Sequence, residues 1–436
     1  MLAAIVTRAL LTHLPPHLSI DLAQPLPVAG GWGAFGAAVF AVVATALAFG
    51  TLAYWQIVAN GAVGFTATAS IAGMSAVSLA CAFAVPIVFS SDIYAYAAYG
   101  ALALGGHNPY AHAPLPGGVP IFDAAIVQWG NPPPACVYGP IFIGLAAAVD
   151  WASASFGTVV TLGVFRITAC AALVACALLA AAAYPGDRRA RLTAAATIAL
   201  NPVIIWCAAE GHNDALALCV VLAGVALAAR GRAVTGSFVA ALAGAIKLPA
   251  LTGGFVAAAS GRARFAAIAG SAVALVLSIP LFAGFEGTAH GAYAPQASLQ
   301  AIVYPLARML LPARVAAPAT WAVAVGAAAA CVAAALQRLR NHQPEGWTFL
   351  ALAGWLLLPN PYPWYGLWLA AIAAVAPGTR GAAVLLGLTF ASVLRYVPDV
   401  VTPGTPPADA WLGVAATFPL LLLVRPRGFG IINRSP

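Results

Sequence analysis

The chain has 436 residues, 63% of them hydrophobic and only 7% charged, with mean hydropathy +0.94 and a formal net charge of +8. So few charges cannot cover a water-soluble domain, in which about a quarter of residues are charged, and the soluble classes are excluded on that ground. The positive charge does not point to nucleic acid either, because the arginines stand in small clusters between apolar runs and form no basic patch interleaved with aromatics.

In lipid every backbone polar group needs an internal partner, which leaves helical bundles or closed barrels. Apolar runs such as 35–55, 67–89 and 159–184 are rich in Ala and Leu and lack the alternation of barrel strands, so the reading is helical. Residues 1–34 read as an interfacial arm: the apolar stretch before Pro15 and Pro16 is interrupted by Arg8 and has no small-residue cleavage site. The predicted spans then run, in order, 35–55, 66–90, 159–184, 192–209, 215–230, 233–246, 248–260, 265–284, 315–336, 346–359, 365–377, 381–397 and 410–424. The expected fold is thus an all-α polytopic bundle of about 13 spans, one membrane domain over 35–424 with a tail at 425–436. Six of the cysteines (Cys81, Cys170, Cys176, Cys207, Cys219 and Cys331) fall in these spans and Cys136 in a loop, without the CxxC spacing of a zinc site.

Topology follows from the arginines. Arg188, Arg189 and Arg191; Arg230 and Arg232; Arg262 and Arg264; Arg338 and Arg340; Arg380; and Arg425, Arg427 and Arg434 face the cytoplasm by the positive-inside rule, which also makes 425–436 a cytoplasmic tail. The acids then segregate: Asp92, Asp123, Asp150, Glu210, Asp214, Glu286, Asp399 and Asp409 fall outside, Asp187 and Glu345 inside, and Asp21 is undecided. Parity also makes 91–157 one extracytoplasmic loop carrying juxtamembrane helices, with the apolar run 138–151 lying along or dipping into the outer leaflet. It makes 233–260, broken by Pro249 between two cytoplasmic arginine pairs, a pair of short helices or a re-entrant hairpin with Lys247 near the apex.

The polar residues retained in such a chain are the candidates for chemistry. Asp92 opens the first large loop, where it is either a helix N-cap or, held at the mouth of a lipid-facing site, a general base whose pKa desolvation raises. Glu210, His212, Asn213 and Asp214 crowd one turn at a membrane boundary, as helix caps, as groups that grip sugar hydroxyls, or, less favoured, as ligands of a divalent metal. Lys247 is the lone lysine; it is a snorkelling residue or an intramembrane cation that meets a lipid phosphate. Arg166, Arg308 and Arg395 are weaker versions of that idea. Tyr94, Tyr96, Tyr362 and Trp364 are interfacial-belt aromatics that can also stack on sugar rings.

In order along the chain stand Ser-Asp-Ile-Tyr-Ala-Tyr (91–96), Gly-His-Asn-Pro-Tyr (106–110), Tyr-Gly-Pro (138–140), Asn-Pro (201–202), His-Asn-Asp-Ala-Leu (212–216), Ile-Lys-Leu-Pro-Ala (246–250) and Pro-Tyr-Pro-Trp-Tyr (361–365). This series, covering about residues 90–370, resembles the GT-C superfamily of membrane glycosyltransferases, and in particular the actinobacterial polyprenol-phosphomannose-dependent alpha-1,6-mannosyltransferases. The N-terminal region, with an extra span, departs from the pattern. The resemblance implies a multi-pass enzyme of the cytoplasmic membrane that moves a sugar, mannose by this likeness, from a polyprenyl-phosphate donor to a glycan or lipid-glycan acceptor on the extracytoplasmic side. The acid after the first span, here Asp92, is then the catalytic base of an inverting single displacement. Lys247 with Arg308 would hold the donor phosphate, and Tyr94, Tyr96, Glu210, His212, Asn213, Asp214, Tyr362 and Trp364 the sugar or acceptor. No cofactor and no nucleic acid are expected, only substrates and membrane lipids. The competing class is a transporter or flippase of lipid-linked glycans, which also uses buried charge and broken helices but is marked by internal repeats that this chain lacks.

Overall fold

The computed structural model describes Thr45 and residues 65–254, 261–282, 293–396 and 406–423, apart from 86, 88, 89, 116–118, 131, 134, 342, 344 and 378. The arm at 1–34, the span 35–55, Glu286, Asp399 and the tail 425–436 lie outside the described residues. Every regular element among those described is helical, as the Ala- and Leu-rich runs require.

The contacts divide the chain into two compact units. The first holds, among the described residues, 65–195 and 205–282; the second holds 196–204 and the described residues from 293 onward. The first unit contains α1 (Phe65–Phe83), α2 (Asp92–Leu104), α3 (Pro120–Trp129), α4 (Pro140–Ser153) and α5 (Thr158–Ala182). After α6 (Arg188–Ala199) and α7 (Pro202–Ala209), where the chain passes between units, it continues with α8 (Asp214–Ala229), α9 (Ala233–Leu242) and α10 (Gly261–Phe282). The second unit holds α11 (Leu299–Leu310), α12 (Ala313–Arg340), α13 (Gly346–Leu357), α14 (Gly366–Val375), α15 (Arg380–Ala391) and α16 (Pro406–Thr417).

The described residues bear out the helical bundle but not, by helix length, the full count of about 13 spans. Among the described residues α1, α5, α10 and α12 are long and apolar enough to cross a membrane, and α6 with α7, bent by 51°, form a fifth candidate. Several of the other predicted spans are helices of 10 to 16 residues. At 1.5 Å per residue these are about 15–24 Å long, short of a hydrocarbon core of about 30 Å. Hydropathy over a window overlooks the backbone breaks that shorten them. Pro202 starts α7 after Asn201, whose side-chain oxygen accepts from the backbone N–H groups of Val203 and Ile204 at 3.2 and 3.3 Å. Pro363 and Gly366 open a 3-10 turn and α14 at the boundary already expected between 346–359 and 365–377.

Two short-helix expectations hold. The run 138–151 is the helix α4, with Pro140 at its first position; it packs along α2 by burying Phe142, Ile143, Ala146 and Val149. The segment 233–254 is broken as expected into α9, a 3-10 turn at Ala243–Ala245 and a second at Leu248–Thr252.

Small residues set the spacing in the first unit. Gly224 of α8 and Gly236 of α9 are backbone to backbone, and a Cβ on either would collide with the other's carbonyl. Contacts between α5 and the α7–α8 segment advance together along both, from the Arg166–Ala209 hydrogen bond to the Cys176–Cys219 sulfur contact at 3.4 Å. That progression is the mark of parallel helices, and Arg188 and Arg230 follow their C-terminal ends.

Candidate active site

The site residues come from the ends of helices in the first unit. Asp92 is the first residue of α2, after Ser91 in the capping position, and neither caps the helix with its side chain. The backbone N–H of Asp92 donates instead to the Ser90 hydroxyl at 3.2 Å. The N-cap reading of Asp92 is therefore replaced. Its carboxylate turns aside to accept from the Tyr96 hydroxyl, one helical turn on, at 3.4 Å, and its Oδ2 lies 3.7 Å from Nδ1 of His212.

His212 arrives through a turn that only glycine can make. Gly211 has φ +92°, and its missing Cβ leaves room for the Ile93 side chain. Arg166 of α5 fixes this turn from beneath by donating to the carbonyl of Ala209, while its other end donates to the carbonyls of Phe83 and Val85 at 2.7 and 2.9 Å. One guanidinium thus satisfies orphan carbonyls at the end of α1 and ties them to the turn that opens α8. Sequence reading gave Arg166 only as a weak cation candidate; its position on the outer part of a span, facing two chain reversals, is the available signal.

Asp214 begins α8 and pairs with Lys247, Nζ to Oδ1 at 2.7 Å. Lys247 also donates to the side-chain oxygen of Asn213 at 3.4 Å. The lysine reaches in because it is extended (φ −146°, ψ 122°) between the two 3-10 turns, at the break that Pro249 imposes. The side chain of Asp214 is 1% exposed and that of Lys247 12%, so the pair is nearly dry.

The electrostatics follow from burial. Desolvation is the largest influence on Asp92 and raises its pKa from 3.8 to about 6, with Lys247 opposing and Asp214 adding to the rise. The same desolvation, helped by Lys247, pushes His212 well below its usual value, so the imidazole is neutral at pH 7 and its approach to Asp92 is no ion pair. The result is a carboxylate balanced near neutrality beside a neutral imidazole and a fixed cation, an arrangement suited to taking a proton and steadying an anion.

Tyr138 completes the cluster, and sequence reading did not select it. Its ring lies 5.7 Å from the Lys247 ammonium and its hydroxyl donates to that of Tyr96 at 3.4 Å. The loop carrying it is pinned: the Gly139 N–H donates to the carbonyl of Ile246 at 2.9 Å, and Tyr110 donates its hydroxyl to the Tyr138 carbonyl. The Tyr-Gly-Pro triplet before a helix was the signal for it.

The remaining candidates fall elsewhere. Glu210, 4% exposed, accepts from the Trp206 indole at 2.9 Å within α7 and its following turn. Tyr94 is buried on α2, within electrostatic reach of Arg166. Arg308, Tyr362 and Trp364 belong to the second unit. There Arg308 is exposed in the last turn of α11, while Tyr362 stacks on Trp364 (4.4 Å, 6°) and takes a 2.8 Å hydrogen bond from Arg395. Among the described residues no group of three His, Cys, Asp or Glu side chains could hold a metal ion.

The N-terminal-domain profile of the alpha-(1->6)-mannopyranosyltransferase family matches residues 3–262, which include every side chain of the Asp92 cluster. Over 165 residues the chain is 32% identical to alpha-(1->6)-mannopyranosyltransferase A of Mycobacterium tuberculosis, a match that takes in 37% of this chain and 31% of that protein. The matched segment thus spans about a third of the relative's length. No solved structure matches. With the profile covering more than half of its length, the chain belongs to the alpha-(1->6)-mannopyranosyltransferase family.

Proposed function

We propose that the protein is a mannosyltransferase that takes its sugar from a polyprenyl-phosphate donor and works at the extracytoplasmic face of the cytoplasmic membrane. Asp92 accepts the proton of an acceptor hydroxyl as that oxygen bonds to the anomeric carbon. The bond from that carbon to the lipid-phosphate oxygen breaks, and the configuration inverts in a single displacement. Negative charge gathers on the departing phosphate, and Lys247 steadies it in a site poor in water, where such an interaction is worth more than in bulk solvent. Asn213 and Asp214 hold Lys247, and His212, neutral, lines the path to Asp92. Arg308, Tyr362 and Trp364 are retained as contacts of donor and acceptor in the second unit, and no metal or cofactor is required.

One observation carries the reading. In a chain with 7% charged residues, Asp92 meets His212 at 3.7 Å and Lys247 meets Asp214 at 2.7 Å, and Tyr96 and Tyr138 link the two pairs in steps of 3.4, 3.4 and 5.7 Å, although Asp92 and Lys247 are separated by 155 positions. The parallel ends of α5 and α8 support an extracytoplasmic cluster, since the arginines follow the opposite ends of those helices. Purified protein given radiolabelled polyprenyl-phosphate mannose and oligomannoside acceptors should form an alpha-linked product. Flux of labelled lipid-linked glycan across proteoliposomes without transfer would instead establish a flippase.

A further inference from the structure

The tyrosines of this site are not a lining added to a finished acid and cation. The Tyr138 hydroxyl donates to Tyr96, and Tyr96 donates to Oδ2 of Asp92, each at 3.4 Å. Tyr96 is 1% exposed, and the two rings meet edge to face at 5.1 Å, both against Phe142 of α4 at 5.0 Å. Phe142 thereby holds both rings at fixed angles. The far side of Tyr138 faces Lys247 at 5.7 Å, and its loop hydrogen-bonds to the residue just before that lysine. Asp92, Tyr96, Tyr138 and Lys247 therefore form one continuous path from the acid to the cation.

We propose that Tyr138 is a positioning residue, which through Tyr96 orients the Asp92 carboxylate and through its ring locates the Lys247 ammonium, so that acceptor proton and leaving phosphate meet groups set at one fixed separation. This rests on the reading of Asp92 as base and Lys247 as phosphate cation. The physical reason is that a carboxylate at the start of a helix, without a capping bond, rotates unless an outside donor fixes it. Tyr96 is that donor, beside the Ser90 side chain, and its own hydroxyl is oriented by accepting a hydrogen bond from Tyr138. Chains of hydrogen bonds polarise one another, so the second tyrosine strengthens the first. A cation over an aromatic face is likewise held in place at little cost in solvation.

The test uses the full-length protein in nanodiscs, with Tyr96→Phe, Tyr138→Phe and the double variant. These changes keep the rings and their packing. Transfer should fall about 10-fold in kcat for Tyr138→Phe with the donor KM changed less than about 2-fold, and more steeply for Tyr96→Phe. The double variant should match Tyr96→Phe rather than the product of the singles, because both act through one path. Tyr138→Leu, which also removes the ring from Lys247, should raise the donor KM as well.

A second readout does not depend on turnover. The infrared band of the protonated Asp92 carboxyl, assigned by its loss in Asp92→Asn, should titrate at higher pH by about half a unit in Tyr138→Phe and about one unit in Tyr96→Phe, since each loses a bond that favours the ionised form. The other groups facing Asp92, namely His212 on the turn, Asp214 on α8 and Lys247 on the broken segment, are unchanged in these variants. An unchanged kcat and an unmoved band in Tyr138→Phe would overturn the proposal while leaving the transferase reading intact. A wild-type protein that transfers no sugar, but whose band moves as stated, would overturn that reading and keep the tyrosine path.

Discussion

Replacing Asp92 with Asn should separate activity from stability in opposite directions. The carboxyl of Asp92 has its pKa raised from 3.8 to about 6, so folding holds a proton that the unfolded chain has released. At 1.36 kcal/mol per unit this burdens the folded state by about 3 kcal/mol, an upper value because the side chain keeps 15% of its surface exposed. The sign follows from the direction of the shift. Below pH 3.8 both states are protonated and no burden exists; it grows as the pH rises to about 6 and is constant above. An uncharged amide of the same shape carries none of it. The variant should therefore unfold at nearly the same temperature as the parent at pH 4 and at a higher temperature at pH 7.5, while transfer falls by about 10²–10⁴-fold. Thermal unfolding in detergent at the two pH values, beside the radiolabel assay, reads both effects. A variant that keeps more than about a tenth of the activity, or whose stability relative to the parent drops as the pH rises, would refute the reasoning.

The pH dependence of kcat/KM should show an acid limb near pH 6, lost as Asp92 protonates, and no limb from His212, which stays neutral throughout. Lys247→Met strips the counter-charge from Asp214, which is 1% exposed, and should destabilise the fold by about 3–5 kcal/mol; Lys247→Met with Asp214→Leu should recover expression in membranes without recovering transfer. Gly224→Val should separate α8 from α9 and lower yield and thermal stability sharply, whereas Gly326→Ala on α12, with open space around it, should change neither. Copper-phenanthroline should join Cys176 to Cys219, whose sulfurs are 3.4 Å apart, in one molecule. Mass spectrometry of the digest would find the link, and its absence would speak against the parallel register of α5 and α8.

The sequence disclosed the cluster better than the scaffold. Asp92, Asp214 and Lys247 stood out because a charge in an apolar chain costs too much to be kept idly, and that cost is visible without coordinates. The break at Pro249 also put Lys247 between two short helical pieces, as found. Span boundaries were less legible. Hydropathy registers apolar content, but helix length depends on where a break such as Asn201–Pro202 interrupts the hydrogen-bond ladder, and that break falls inside a window, 192–209, that remains apolar. Tyr138 was passed over, and Tyr96 was read as a sugar contact, because an interfacial aromatic and an orienting aromatic have the same composition. Only the docking of Gly139 on Ile246 tells them apart. Glu210 shows what coordinates add: one of its oxygens takes the indole hydrogen bond of Trp206, a turn earlier, which the sequence did not reveal.

The solitary lysine has a practical corollary. A protein whose only side-chain amine belongs to its proposed reactive cluster can be grown on isotopically labelled lysine to give a single ammonium signal in a magnetic-resonance spectrum, against a silent background of 435 other residues. Arrival of a phosphate beside Asp214 would move that one line, so each step of a catalytic cycle becomes readable without attaching any probe.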